Sequence, residues 1–276
     1  MGEIHRKARD EEINLVKKLN KLGTRILKNL FSIEEDIPYI YAVHAEVSRK
    51  SNIHSKPVRP KADVFLVASR QKLKLSDFYL SDREIEGRSG INPIAFTGIS
   101  VKFAVSKSYT IVKMSPDTLE KLKIGRELGA AASLYDKKME DFKKNKQVLD
   151  GWGVKVTQLE NFLKQIGILD LNEKLDLFNQ TLLKKIKRSA SKKIKQMIND
   201  SEDLKQKLFW GIGIFPEPYS ARYFYYRGRL AKVESVFFDF SVTTGSGRSK
   251  GDFTLVLKPS GKVQLGEYKE LENFTS

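Results

Sequence analysis

"PKADVFLV", residues 60–67, decides how this chain is read. Asp63 is followed by Val64, Phe65, Leu66 and Val67, a β-rich apolar block with polar residues on either side. Four successive apolar residues predict a buried strand, with Asp63 at its mouth. A second run, "TGISVK", residues 97–102, has the reverse build: its apolar residues come first and Lys102 ends it, two residues after Ser100. If the two strands are neighbours, an acid and a lysine meet at one end of a sheet.

The rest of the chain supplies a reason for them to meet. It has 276 residues, 40% hydrophobic and 10% aromatic, enough for one large or two modest folded domains. Its 50 Lys and Arg against 34 Asp and Glu give a net charge of +16, so the expected partner is a polyanion, with nucleic acid ahead of an anionic membrane surface. No apolar run approaches the eighteen or so residues that span a bilayer, and "MGEIHRKARDEEINL" lacks a signal-peptide core. Arg6 stands where a myristoylation signal carries Ser or Thr. The expectation is a soluble, cytoplasmic protein without a membrane partner. Absence of cysteine excludes disulfides, zinc-thiolate sites and thiol catalysis, and His5, His44 and His54 lack metal-binding spacing. Any metal is then a hard ion held by oxygen.

Apolar residues at helical spacing from Ile13 to Leu30 predict an amphipathic helix over 3–31. "IPYIYAVHAEVSRKSN" follows with Pro38 as a first-turn residue and reads as a second helix of about four turns, with Glu46 in its last half. After the Asp63 strand and a polar connection, "IAFTGISVKFAV" reads as one strand and "YTIVKM" as another. Ser115 is the expected N-cap of the next helix, with Pro116 and Asp117 in its first turn. Residues 118–208 read as mostly helical, broken near 150–153 and 166–172. Within them "LFNQTLLKKIKRSASKKIKQMI" sets Leu177, Phe178, Leu182, Ile186, Ile194 and Met197 beneath seven Lys and Arg. From 209 onward strands dominate, with a mobile Gly-rich loop at "TTGSGRSKG" and a hairpin turn at "KPSGK". The predicted class is α/β (α+β): a mixed sheet flanked by helices, a helical middle segment and a β-rich C-terminal part. The predicted divisions are 1–35, 36–125, 126–208 and 209–276, the last packed beside the core or within it.

Hydrolysis of a phosphodiester needs a deprotonated nucleophile, neutralised phosphate oxygens and a stabilised leaving group, which carboxylate-bound Mg²⁺ and a lysine supply. "PKADVFLV" followed by "GISVK" resembles the PD-(D/E)xK core of type II restriction endonucleases, in the subgroup where Ser replaces the acid. The resemblance covers roughly residues 39–125. It implies a restriction-endonuclease-like sheet and Mg²⁺-dependent, sequence-specific cutting of double-stranded DNA. It also implies Asp63 as central metal ligand, Ser100 and Lys102 as the Ser-x-Lys pair, and Glu46 as the acid on the helix before the core. A third ligand expected beyond the lysine points to Asp117, with Glu120 beside it. Pro60 stands two positions ahead of the place where the family carries its proline.

A rival set lies near the other end, where Asp252 precedes a strand and "EYK" supplies Glu267 and Lys269. A hairpin with paired surface charges explains it as well. Candidate DNA contacts are Arg83, Arg88, Asn92, Lys107, Lys185, Arg188, Arg248 and Lys250. A palindromic target implies a homodimer. The competing reading is a non-catalytic, basic nucleic-acid-binding protein in which Asp63 caps a strand and Lys102 snorkels from its end.

Overall fold

The computed structural model describes residues 3–102 and 110–274. In chain order its elements begin with α1 (Glu3–Phe31), β1 (Tyr39–His44), β2 (Val64–Ser69), α2 (Asp82–Ile85), β3 (Ile91–Pro93), β4 (Ile99–Lys102) and β5 (Val112–Met114). The helical stretch follows: α3 (Pro116–Lys121), α4 (Arg126–Ser133), α5 (Met139–Phe142), α6 (Asn145–Trp152), α7 (Val156–Gln165), α8 (Gln180–Asn199) and α9 (Glu202–Lys205). Last come β6 (Tyr223–Tyr226), β7 (Arg229–Lys232), β8 (Val236–Phe237), β9 (Phe240–Thr244), β10 (Leu255–Pro259), β11 (Gln264–Leu265) and β12 (Lys269–Glu270). The chain is thus mixed α and β, as its sequence predicts.

It divides into two compact units. The first comprises Met1–Lys107, Gln206–Phe237 and Val263–Ser276; the second comprises Ser108–Lys205 and Phe238–Lys262. The segment 36–125 is therefore shared between units, and so is the β-rich segment 209–276.

Among the described residues the first unit holds a seven-stranded mixed sheet in the order β1-β2-β4-β6-β7-β12, with β3 also paired to β2. β1 and β2 are antiparallel over their full length, from Tyr39↔Ser69 to His44↔Val64. β4 lies parallel to β6, from Ile99↔Tyr223 to Lys102↔Tyr226. Alternate residues face one side: Ile40 and Ala42, Val64 and Leu66, Ile99 and Val101, Tyr223 and Tyr225. All of them pack with Leu15, Val16, Leu19, Leu27 and Leu30 of α1. This is the helix predicted from periodicity, with a break at Gly23 (φ 77°) that the sequence pattern does not show.

Two expectations need correction here. Residues 39–44 form a central-sheet strand, not the start of a second helix. Ile, Tyr and Val suit a pleated surface, and a six-residue ladder to β2 outweighs the absence of helix breakers. The run 94–105, of which 103–105 lie outside the described residues, is not one strand over 94–102 either. β3 and β4 pair with opposite ends of β2, and between them the chain bulges. Ile94 N–H donates to Leu66 O (2.9 Å), whereas Leu66 N–H donates to Thr97 Oγ1 (3.1 Å), so a side chain replaces a ladder carbonyl.

In the second unit Ser115 caps α3 as expected, accepting from Thr118 N–H with Pro116 in the first turn. α8 turns Leu182, Ile186 and Ile194 inward as its spacing predicts, but Phe178 precedes the N-cap Asn179 and is 55% exposed. "KPSGK" is no hairpin turn: β10 pairs with β5 and β9, whereas β11 pairs with β8. The Gly-rich run 243–251 closes into a 3-10 turn at Ser246–Lys250, with Gly245 N–H donating to Thr254 O at 2.8 Å. No helix among the described residues is long and apolar enough to cross a membrane.

Gly98 is the tightest point beside β4. A Cβ there would fall on the carbonyl oxygens of Pro218 and Ser220 and against Ala62. Backbone cannot step aside as a side chain can, so Gly98→Ala is expected to cost roughly 2–4 kcal/mol in urea unfolding. An unchanged midpoint contradicts this packing.

Candidate functional site

The predicted acid and lysine meet. Asp63 Oδ2 accepts the Val101 N–H at 2.8 Å and the Ser100 hydroxyl at 3.5 Å, and lies 3.8 Å from Lys102 Nζ. The cause is local. β2 and β4 share one ladder pair, Val64↔Ile99, and Asp63 N–H donates to Ile99 O at 2.8 Å. Beyond that pair the Asp63 side chain takes the place of a ladder acceptor for Val101.

Asp63 is 17% exposed at its side chain. Burial raises its pKa above the ordinary carboxylate value; Lys102 opposes the shift, the charge of Glu12 adds to it, and the Val101 N–H and Arg59 oppose it. Lys61, two residues earlier, is pushed down to about 7, first by burial and then by the charge of Lys102, with Asp63 pulling the other way. Two ammonium groups thus crowd one partly buried carboxylate.

Glu12 is the residue that sequence reading missed. It projects from α1 and is 8% exposed. Its Oε2 accepts from His44 Nε2 at 2.9 Å and lies 3.5 Å from the Arg59 guanidinium. His44, fully buried at the end of β1, bonds Tyr79 OH through Nδ1 at 2.9 Å. Tyr79 is pushed up to about 12, chiefly by burial, so its phenol keeps its proton.

Glu46 is not on a helix but in the turn after β1. Arg9 binds it at 2.5 Å, Arg83 Nε stands 3.8 Å away, and its N–H donates to the buried Asp82. Glu12 is a buried acid on α1, the helix before the sheet, and Glu46 belongs to an arginine cluster. Asp117 lies in α3 of the second unit, paired with Arg126 at 2.8 Å, and Glu120 lies 3.3 Å from the same arginine.

Of the rival set, Asp252 belongs to the second unit, and Glu267 and Lys269 belong to the first. Lys269 Nζ donates to Asn29 O (3.2 Å) and Leu30 O (3.1 Å), capping the carboxyl end of α1. Arg83, Arg88 and Asn92 are exposed around α2 and β3; Lys107 lies outside the described residues. On α8, Arg188 is exposed, whereas Lys185 lies 3.7 Å from Glu173. Arg248 stacks on Tyr135 at 3.5 Å and donates to Ser133 O, and Lys250 is exposed.

Among the described residues no group of three or more His, Asp or Glu side chains is placed to hold a metal. What converges is two carboxylates, Asp63 and Glu12, with Lys102, Lys61 and Arg59. Compared with known proteins, the chain matches no family model, and no curated protein matches it in sequence.

The raised pKa of Asp63 fixes the sign of a pH effect. Between the ordinary value of 3.8 and the raised value, the folded state holds the proton more tightly than the unfolded state, so stability is lost as pH rises through that window. Asp63→Asn keeps an acceptor for Val101 and removes the buried charge. It is expected to melt above the parent at pH 8, by about 2–4 °C for each kcal/mol relieved, with the gap closing toward pH 3. An Asn variant that melts lower at pH 8 contradicts the electrostatics described.

Proposed function

We propose that this protein is a metal-dependent endonuclease of the PD-(D/E)xK kind, hydrolysing phosphodiester bonds in double-stranded DNA at specific sequences. The observation that carries the reading is the Asp63 carboxylate at 3.8 Å from the amine of Lys102, on adjacent strands of a mixed sheet, with Ser100 alongside. An acid opening one strand and Ser-x-Lys closing its neighbour is the arrangement the sequence resemblance implies. The helix-borne acid that completes it is Glu12.

The donor set suits Mg²⁺: carboxylate oxygens only, few in number, for an ion that retains much of its water. Asp63 and Glu12 are the residues that would hold it. When bound, the ion supplies charge neutralisation and lowers the pKa of water. Lys102 is placed to meet a phosphate oxygen or orient the attacking water. Ser100 and the Val101 N–H fix the Asp63 carboxylate from β4, and His44, at the end of β1, fixes Glu12. A phosphate brought to this site balances the positive charge that Lys61 and Lys102 place around Asp63.

The net charge of +16 supports a DNA substrate, and α8 offers a long basic surface. Lys184, Arg188, Lys192 and Lys193 are exposed on it. In this reading they contact the phosphate backbone without reading sequence, and the exposed Arg83, Arg88 and Asn92 read bases. A homodimer cutting both strands accompanies a palindromic target. A non-catalytic DNA-binding protein is the second reading, favoured by the missing third acid.

Incubation with plasmid or phage DNA separates the two. Discrete, Mg²⁺-dependent fragments are expected, and Asp63→Ala is expected to abolish them while DNA binding persists. Lys102→Ala is expected to slow cutting by roughly 10²-fold or more. DNA that shifts on a gel but stays intact under Mg²⁺ and Mn²⁺ favours the binding protein. Arg188→Gln and Lys192→Gln are each expected to weaken binding to any duplex and to lower the salt slope of log K by about 1. An unchanged slope removes α8 from the interface.

A further inference from the structure

We infer that Phe96 is a wedge that stacks against a nucleobase of bound duplex DNA. The inference rests on the DNA-cleaving reading above and adds a contact which that reading does not require.

Phe96 occupies the bulge between β3 and β4, in the loop leading into the strand that ends at Lys102. Its side chain is 60% exposed, and its backbone is left-handed, at φ 61°. For a bulky residue that conformation is a strained outlier. A chain that gains nothing from Phe there is better served by glycine, which adopts positive φ freely.

The surroundings hold the strained residue in place. Thr97 Oγ1 donates to Ile94 O at 2.7 Å and accepts from Leu66 N–H, closing the bulge from within. The Phe96 N–H donates to Glu217 Oε2 at 3.3 Å. The other oxygen, Oε1, takes the Ser220 hydroxyl (2.5 Å) and the Nε and an amino group of Arg222 (2.9 and 2.7 Å). That bidentate clamp fixes the Arg222 guanidinium 5.0 Å from the Phe96 ring centroid. The result is an aromatic ring with a cation set over it and much of its surface left to solvent.

Duplex DNA offers a partner for such a ring. Apolar side chains inserted between base steps unstack and kink DNA, and a guanidinium beside the ring meets the neighbouring phosphate. Reach is adequate. Six residues separate Phe96 from Lys102, a span of at most about 20 Å, or up to roughly six base-pair steps. Two residues after Phe96, Gly98 abuts Ala62, the residue before Asp63.

The test compares Phe96→Gly, Phe96→Ala and Phe96→Tyr, each in the Asp63→Ala background so that DNA stays intact. The probe is fragmented plasmid DNA in filter binding, with thermal melting of each protein alongside. Loss of the ring is expected to weaken binding about 5- to 100-fold. Phe96→Tyr is expected to retain binding, and Phe96→Gly to melt at or above the parent because the strain is gone. A 30-bp duplex from the same plasmid, with 2-aminopurine at single positions, is expected to brighten at one step with Phe96 and not with Gly. Equal binding by the Gly variant and the parent overturns the wedge and leaves the nuclease reading standing, as does a Gly variant that melts lower. A parent that binds no DNA overturns both.

Discussion

The bond between the Asp63 carboxylate and the Val101 N–H is the constraint on which the site depends. It lies where β2 stops pairing with β4 through its backbone and where the next residue, Lys102, turns its amine toward the same carboxylate. A single side chain therefore joins two strands and carries the charge on which the proposed chemistry turns. This dual use explains why the acid stands at the strand's mouth. One residue further in, at Val64, its side chain would enter the apolar layer beneath α1; further out, it would lose Val101. The sheet tolerates a single-pair ladder between β2 and β4 because β4 gains four parallel pairs with β6 on its other edge.

Around that bond the first unit holds charges that folding alone does not favour. Asp63 is resisted by burial, Lys61 has its pKa lowered to about 7, and Glu12 sits 8% exposed with its charge adding to the upward shift of Asp63. The two acids are individually repaired: His44 and Arg59 hold Glu12, Val101 and Lys102 hold Asp63, and Tyr79 bonds the other ring nitrogen of His44. The repairs stabilise each group without removing the excess of both signs in one place. Such an arrangement gains when a cation meets the acids and an anion meets the lysines together, as happens when a metal ion and a phosphate arrive as one ligand.

The part of this that the sequence made legible follows from periodicity and from position in a strand. Asp63 and Lys102 were legible because each borders an apolar run whose direction fixes which end it occupies. Glu12 was legible in principle. It sits three and four residues before Leu15 and Val16, on the buried stripe of α1, whereas the neighbouring Asp10 is exposed. Asp10, Glu11 and Glu12 adjoin, so charge alone does not single out the buried acid, and the phase of the helix does. Glu46 was misplaced because residues 39–44 carry no breaker, and only the ladder to β2 shows them to be a strand. The division of Asp252 from Glu267 and Lys269 depends on which distant strands β10 and β12 choose, and short-range pattern does not encode that choice.

Three departures from local rules in the first unit bear on the proposed site. A carboxylate stands partly buried at a strand mouth, a lysine is held near neutrality, and a phenylalanine is exposed with left-handed backbone on a bulge. In the second unit Ser115 caps α3, Asn179 caps α8, and the apolar stripe of α8 faces inward, while Lys123 has left-handed backbone at φ 57°. The departures in the first unit then call for a compensating gain outside folding, because each has a simple local remedy: Asn for Asp63, Met for Lys61 and Gly for Phe96. A single ligand would compensate all three if it brought a cation and a phosphate to the Lys102 end of β4 and a stackable base to the Phe96 end, and nucleic acid with a metal ion, as proposed above, fits that description.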